Sequence, residues 1–418
     1  MAYHRANLFT VISIVLSYIN FGLGAKLLDP LQFGVFSTLF MLSQWFNNFD
    51  GGVGNQLRNK YTIAHANREV DLQRELLLEG YLKSIIFLAP LLIVIIIFST
   101  QVNWNQLIAP GNNWILNISL IACIGTLSVL LRIINKVFYA TGRAELTALT
   151  SVAAQSVVLA AMITGGFLDV QVAEGSAGAM AILYVYIIPM PVVYLTFTVI
   201  YLSHSLSEIK VTKLRGHLSI ADGLYYMIFQ MVSGLTVLMI PYGISSQSNV
   251  STAGDANIYI KYFQSIVVFV NIFMQILWRD MTLYRATPSS RALRVILKNI
   301  SGLITMSTIA LLALYFISGP VFHYWIGSNY VIDYALAKFI VGITALSILK
   351  RCLTTFLQSI DKIKPTALIS LVTPLIAFVA LSSGKAGSPQ EFLGILIFAL
   401  ILEILALSIY SAKFSRAS

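Results

Sequence analysis

The sequence predicts an all-α, polytopic membrane protein of about twelve transmembrane helices arranged as two six-helix lobes. Three observations predict this. Of the 418 residues, 57% are hydrophobic and 11% charged, with a mean hydropathy of +0.81. Soluble domains carry about 25% charged residues, so a chain this poor in charge has no coat to keep it in water. Apolar runs of about 20 residues, the length that crosses a bilayer, recur along the whole chain. The basic residues also fall unevenly between them: with twelve spans, about 23 Lys and Arg lie in loops on the side of the termini and about 4 on the other side. Positive loops stay inside, so both termini are expected to be cytoplasmic. The net charge of +10 therefore reads as membrane topology and not as nucleic-acid binding.

The spans are expected at roughly 8–28, 33–50, 82–99, 115–137, 146–167, 178–201, 221–244, 258–279, 300–319, 334–357, 366–384 and 393–412. The first follows a basic start, MAYHRAN, but is too long for a signal peptide and lacks a small-residue cleavage site, so it is read as an uncleaved span. The second ends in FNNFDGGVGNQLRNK, Phe46 to Lys60. That string has neither the spacing of a phosphate loop nor a preceding strand. It reads as a turn on the cytoplasmic side whose Arg58 and Lys60 meet anionic headgroups, at about 1 kcal/mol each. Pro189, Pro191, Pro241 and Pro374 mark kinks inside spans. The outer loops, such as DVQVAEGS, are short and nearly uncharged. Cys123 and Cys352 lie in apolar segments, which argues against a disulfide framework.

The halves show an internal repeat. Setting Arg132 against Arg351 also aligns Arg143 with Lys362, Thr147 with Thr366, Ala148 with Ala367 and Ser151 with Ser370. An even number of spans per half gives a parallel repeat about an axis along the membrane normal. The expected organisation is a lobe at 1–204, a cytoplasmic linker at 205–220 and a second lobe at 221–418.

Three strings carry a resemblance: AKLLDPLQFGVFSTL after the first span, DGGVGNQLRNKYTIAHANRE after the second and FYATGRAELTAL after the fourth. Together they resemble the Wzx-type O-antigen and polysaccharide flippases, in the superfamily that also holds the lipid II flippases and the multidrug/toxic-compound extruders. The resemblance implies two lobes around a central cavity in the bacterial inner membrane. The implied activity is transfer of an undecaprenyl-diphosphate-linked oligosaccharide to the periplasmic leaflet, for lipopolysaccharide biosynthesis. It also implies a polysaccharide polymerase and a chain-length regulator as partners. No cofactor and no nucleic acid are expected, and proton or sodium coupling is left open.

Charges inside a span are costly in lipid and point to a wet path or a partner. In the eighth span Lys261, Gln264, Ser265, Asn271, Gln275 and Arg279 fall on one face at helical spacing. They line a cavity, or Lys261 snorkels to the outer interface. In the fourth span Gly125, Ser128, Arg132, Asn135, Lys136 and Tyr139 share a side; in the tenth, Thr344, Ser347, Arg351, Thr354 and Gln358 do so. Arg132 and Arg351 either grip a diphosphate, whose oxygens suit a guanidinium fork, or anchor the inner ends of their helices. Arg58 has the same two readings. The expected substrate-binding set is Lys261, Arg132, Arg351, Arg58, Gln264, Asn271 and Gln275. Asp50, Asp222 and Glu403 are the carboxylates available for ion coupling, because a buried acid can take up a proton. In the first span Ser13, Ser17, Asn20 and Gly24 form a small-polar stripe suited to close packing or to a cavity wall, with Lys26 on the other side and read as snorkelling.

No enzymatic constellation appears: the histidines at 4, 65, 204, 217 and 323 are scattered and no HExxH motif occurs. Three rivals share the span count. A drug/cation antiporter would want an acidic cavity, a lipid II flippase differs only in its glycan, and a membrane polysaccharide polymerase would want a long basic outer loop, whereas none here exceeds about 16 residues.

Overall fold

The structure is a computed structural model. It describes residues 2–28, 52–101, 113–167, 176–205, 216–247, 250–287, 289–325, 332–384 and 387–415, with part of 32–43. The described residues are helical throughout, without a strand. In lipid only a helix or a closed barrel satisfies every backbone N–H and C=O, and sequences this apolar over 20 residues take the helix. Ten helices among the described residues are long and apolar enough to cross a membrane. Of the other two expected spans, 221–244 is helical, and 33–50 lies mostly outside the described residues. Leu8, Ile86, Met306 and Phe316 stand more than half exposed, a pattern that suits lipid and not water.

The chain forms two compact units, Met1–Met227 and Ile228–Ser418. The first holds α1 (Ala2–Leu27), α2 (Val53–Ala66), α3 (Val70–Gln101), α4 (Trp114–Leu131), α5 (Ile133–Ala140), α6 (Ala144–Phe167), α7 (Ser176–Ile187) and α8 (Pro189–Ser205). α9 (Ile220–Gln247) runs through the boundary. The second unit continues with α10 (Val250–Ala286), α11 (Ser290–Trp325), α12 (Tyr334–Ser359), α13 (Ile363–Ser370), α14 (Val372–Ser382) and α15 (Pro389–Ser415).

Short breaks divide several spans. α7 ends at Ile187, one residue short of Pro189, whose fixed φ and missing N–H start a helix well but cannot continue one. α13 gives way to α14 three residues before Pro374. The break between α4 and α5 falls at Arg132, with no proline to cause it.

In the first unit α1 packs along α6. Asn20, fully buried, donates to the backbone oxygen and to the Oε1 of Gln155, both at 2.9 Å. A Cβ on Gly24 would touch Met162 and Ile182 at 3.5 and 3.6 Å. At these two positions the stripe of the first span is a packing surface. Lys26 is exposed, as snorkelling requires. A separate core gathers Val53, Leu57 and Tyr61 of α2, Leu76 and Leu77 of α3, Ile133, Ile134, Val137 and Phe138 of α5, and Leu218.

In the second unit α12 packs against α10, α11 and α15. Its N-terminus is capped by Asp333, which accepts from the Leu336 N–H at 3.0 Å, while the Asp333 N–H donates to the Tyr259 hydroxyl at 2.8 Å. Tyr262, Phe322 and Trp325 form an aromatic cluster around that end.

The repeat seen in the sequence is present in backbone detail. After α5, Gly142 N–H bonds to Tyr139 O (3.2 Å) and Arg143 N–H to Phe138 O (2.7 Å). After α12, Asp361 N–H bonds to Gln358 O (3.1 Å) and Lys362 N–H to Leu357 O (2.8 Å). The paired positions stand 219 apart, and the middle residue has positive φ in both turns: 78° at Gly142 and 58° at Asp361. Aspartate tolerates this left-handed conformation better than most residues, and Arg285 pairs with its carboxylate.

Candidate functional site

The string after the second span is not a headgroup loop. Residues 53–66 form α2, and every residue from Val53 to Asn59 is buried. The sequence misleads here because α2 is polar while its partners are remote. Those partners are α3, α5 and residues 217–219, and its polar side chains bond to them. Gln56 donates to the Ser219 carbonyl and accepts from the Ser219 N–H, both at 2.9 Å. Lys60 donates to the His217 carbonyl. The Glu79 carboxylate of α3 accepts the N–H groups of His217 (2.8 Å) and Leu218 (2.9 Å) and pairs with Lys83 at 2.5 Å. Lys83 also donates to the Leu218 carbonyl, and His217 Nε2 meets Glu75 at 3.0 Å. Residues 217–219, just before α9, are thus held to α2 and α3 through both their N–H and C=O groups.

Between α2 and α5 lies a cluster of cations. Arg58 is fully buried, with its guanidinium 5.0 Å from the centre of the Tyr139 ring, a cation–π distance. Lys136 donates to Asn55 Oδ1 at 2.8 Å. Arg132, half-buried at the break between α4 and α5, also acts electrostatically on the Tyr139 hydroxyl. Headgroup anchoring is therefore ruled out for Arg58: a side chain with no accessible surface does not lie in the headgroup layer. Arg132 keeps an arginine, Arg351, at its repeat position, whereas Lys136 and Tyr139 correspond to Thr355 and Gln358.

The second unit holds the remaining expected residues. Lys261, Gln264, Asn271 and Gln275 lie along one face of α10 and are all half-buried, beside a fully buried face that includes Tyr259, Phe263, Val270 and Met274. Asn271 Oδ1 is buried without a hydrogen-bond partner among the described residues. The stripe is thus intermediate, neither core nor open surface. Ser265 bonds back to the Tyr262 carbonyl at 2.8 Å and leaves the polar set. Arg351 is half-buried, and its Nε also lacks a partner among the described residues. Lys338 is exposed.

The carboxylates behave differently from one another. Asp50 lies outside the described residues. Asp222 is exposed in the first turn of α9. Glu403 is fully buried and paired with Lys350, a residue the sequence reading passed over. Its signal was faint: a Lys–Arg pair inside an apolar span, with the acid 53 positions away.

No protein-family model matches the chain, and no curated protein matches it. Solved structures do. A MATE transporter from Vibrio cholerae is 13% identical over 100% of this chain and 97% of that one, with a TM-score of 0.73. A MOP superfamily transporter from Pyrococcus furiosus, described as having a binding pocket of reverse polarity that suggests a different function, is 13% identical over 99% and 95%, with a TM-score of 0.71. An outward-facing multidrug resistance MATE family transporter is 13% identical over 99% and 96%, with a TM-score of 0.70. The chain has the MATE transporter fold. That fold is an all-helical, multi-pass membrane architecture.

Proposed function

We propose that the protein is a flippase that moves an undecaprenyl-diphosphate-linked oligosaccharide, the O-antigen repeat unit, from the cytoplasmic to the periplasmic leaflet of the bacterial inner membrane by alternating access. One observation carries the reading: Lys136, in the same cluster as the fully buried Arg58, occupies a repeat position that the second unit fills with the neutral Thr355. Cations in a place where the same fold accepts neutral side chains are there for a ligand, and guanidinium groups suit phosphate oxygens. Arg132 and Arg351, kept in both halves, extend the cationic set. Lys261 and the half-buried amides of α10 supply hydrogen bonds for sugar hydroxyls. The termini lie in the cytoplasm, in line with the excess of basic residues in their loops. An inside-negative potential drives an anion outward by about 2.3 kcal/mol per charge per 100 mV.

A second reading has an observation of its own: the solved structures of this fold include multidrug MATE transporters. A drug/cation antiporter would concentrate carboxylates, not arginines, at its binding residues.

The test is complementation of a flippase-deficient strain. Arg58→Met keeps the volume and removes the charge; Arg58→Lys keeps the charge. Arg58→Met is expected to abolish surface glycan at normal membrane levels, with lipid-linked units trapped on the cytoplasmic face, and Arg58→Lys to retain part of it. Full surface glycan with Arg58→Met, or dye efflux without glycan transfer by the wild type, overturns the proposal.

A further inference from the structure

The span formed by α4 and α5 is interrupted at Arg132, although it contains no proline. In a regular helix the Leu131 carbonyl accepts the N–H of Asn135, four residues on. Here the Asn135 N–H donates to the Arg132 carbonyl, three residues back, at 2.9 Å. The Leu131 carbonyl accepts from the Thr198 hydroxyl of α8 instead, at 3.2 Å. A backbone carbonyl inside a membrane span is costly to leave without a donor, so this hydroxyl is what makes the break tenable.

Thr198 behaves unlike its neighbour. A threonine hydroxyl in an apolar helix ordinarily bonds back along its own helix, as Thr196 does to the Val192 carbonyl at 3.0 Å. Thr198, only 4% exposed, reaches across to α4. The buried Tyr81 hydroxyl of α3 lies against it, so Thr198 stands where α3, α4 and α8 meet. The fold does not demand the break. In the register set by the turns at Gly142 and Asp361, Leu131 and Arg132 correspond to Lys350 and Arg351, and α12 runs through those two without interruption from Tyr334 to Ser359. One unit carries its arginine on a continuous helix, and the other carries Arg132 at a break.

The break has a consequence for the cation cluster. A tightened turn advances about 120° per residue in place of about 100°. It therefore rotates α5, with Lys136 and Tyr139, relative to the part of α4 before it. That rotation sets how the Arg132 guanidinium faces Tyr139, on which it acts, and the buried Arg58 over the same ring.

We propose that Thr198 is a positioning residue: by occupying the Leu131 carbonyl it holds the helix break that aims Arg132 at the cation cluster between α2 and α5. The proposal rests on the reading of that cluster as the diphosphate site and goes beyond it by naming a residue outside the cluster that sets its geometry. Without the hydroxyl, the Leu131 carbonyl takes the Asn135 N–H, α4 and α5 join into one helix as in α12, and Arg132 turns with them.

The test uses the full chain in lipid nanodiscs. Thr198→Val keeps the volume and removes the hydroxyl, and Thr198→Ser keeps the hydroxyl. Spin labels on Leu116→Cys and Arg143→Cys, two exposed positions on either side of the break, report its geometry in a Cys123→Ser, Cys352→Ser background. Thr198→Val is expected to shift the distance between the labels and Thr198→Ser to restore it. An unchanged distance in Thr198→Val overturns the proposal. The second measurement is binding of undecaprenyl diphosphate. Arg132→Met and Thr198→Val are each expected to weaken it about tenfold, and the double variant no further, because Thr198 acts through Arg132. Losses that add, or full affinity in Thr198→Val, overturn the positioning role. Absence of binding by the wild type overturns the diphosphate reading alone, and the label distance then decides the role of Thr198. Should Thr198→Val fail to insert, Thr198→Ala, which also lacks the hydroxyl, takes its place in both measurements.

Discussion

Glu79 offers the sharpest test of how residues 217–219 are held. Its carboxylate accepts two backbone N–H groups, from His217 at 2.8 Å and Leu218 at 2.9 Å, and pairs with Lys83. The side chain is 4% exposed, so water screens little of this. Hydrogen bonds to a charged group contribute about 1.5–3 kcal/mol each, and a buried N–H left without an acceptor costs a comparable amount. Glu79→Ala removes both acceptors. The two bonds between Gln56 and Ser219 remain, as do the lysine bonds to the carbonyls, so undocking of the segment becomes easier by about 3 kcal/mol. At 1.4 kcal/mol per tenfold, the undocked fraction rises by about two orders of magnitude. Glu79→Gln keeps one acceptor oxygen, and its expected effect is about tenfold. Hydrogen–deuterium exchange over a peptide covering 216–220 in the full protein reads this directly, since protection there reports local opening. Equal protection in wild type and Glu79→Ala would refute the reasoning.

Two further outcomes follow from other positions. Gly52 has φ +71° at the start of α2, and a Cβ there would lie 2.1 Å from the Gly223 carbonyl oxygen and 2.5 Å from the Tyr226 Cβ. Gly52→Ala is expected to cost at least the ~1–3 kcal/mol of a strained backbone and to lower the melting temperature in detergent; an unchanged melting temperature refutes it. Burial pushes the Tyr61 phenol well above its ordinary range, helped by the Tyr201 hydroxyl at 3.3 Å. A raised value means that the folded protein keeps a proton the unfolded chain loses. Stability from this group is therefore full below about pH 10 and falls by about 1.4 kcal/mol per pH unit above it. Tyr61→Phe should flatten alkaline unfolding by about one proton, and an unchanged slope would show that Tyr61 is not the group responsible.

What the sequence disclosed was periodic or local. Apolar runs marked the spans, and the Arg132–Arg351 pairing gave the repeat register later seen in the turns at Gly142 and Asp361. What it concealed was long-range polar pairing. Nothing near Lys350 announces Glu403, and nothing near Glu79 or Gln56 announces the backbone of 217–219, because a hydrogen bond to a distant peptide group leaves no pattern in side-chain spacing. α2 was hidden for the same reason: its polar residues have the composition of a loop, and only the bonds they make in the interior turn it into a buried helix. The stripe on α10 was legible as a face, although its half-buried standing and the loss of Ser265 to a helix carbonyl were not.

The repeat register gives this chain an internal control. Positions around the two matching turns have siblings shaped by the same template but free to diverge in chemistry. Where the sibling is threonine or glutamine, the same turn already carries a neutral side chain. Loss of activity after such an exchange can then be assigned to lost work rather than lost shape, a separation that single-substitution surveys of membrane proteins rarely allow.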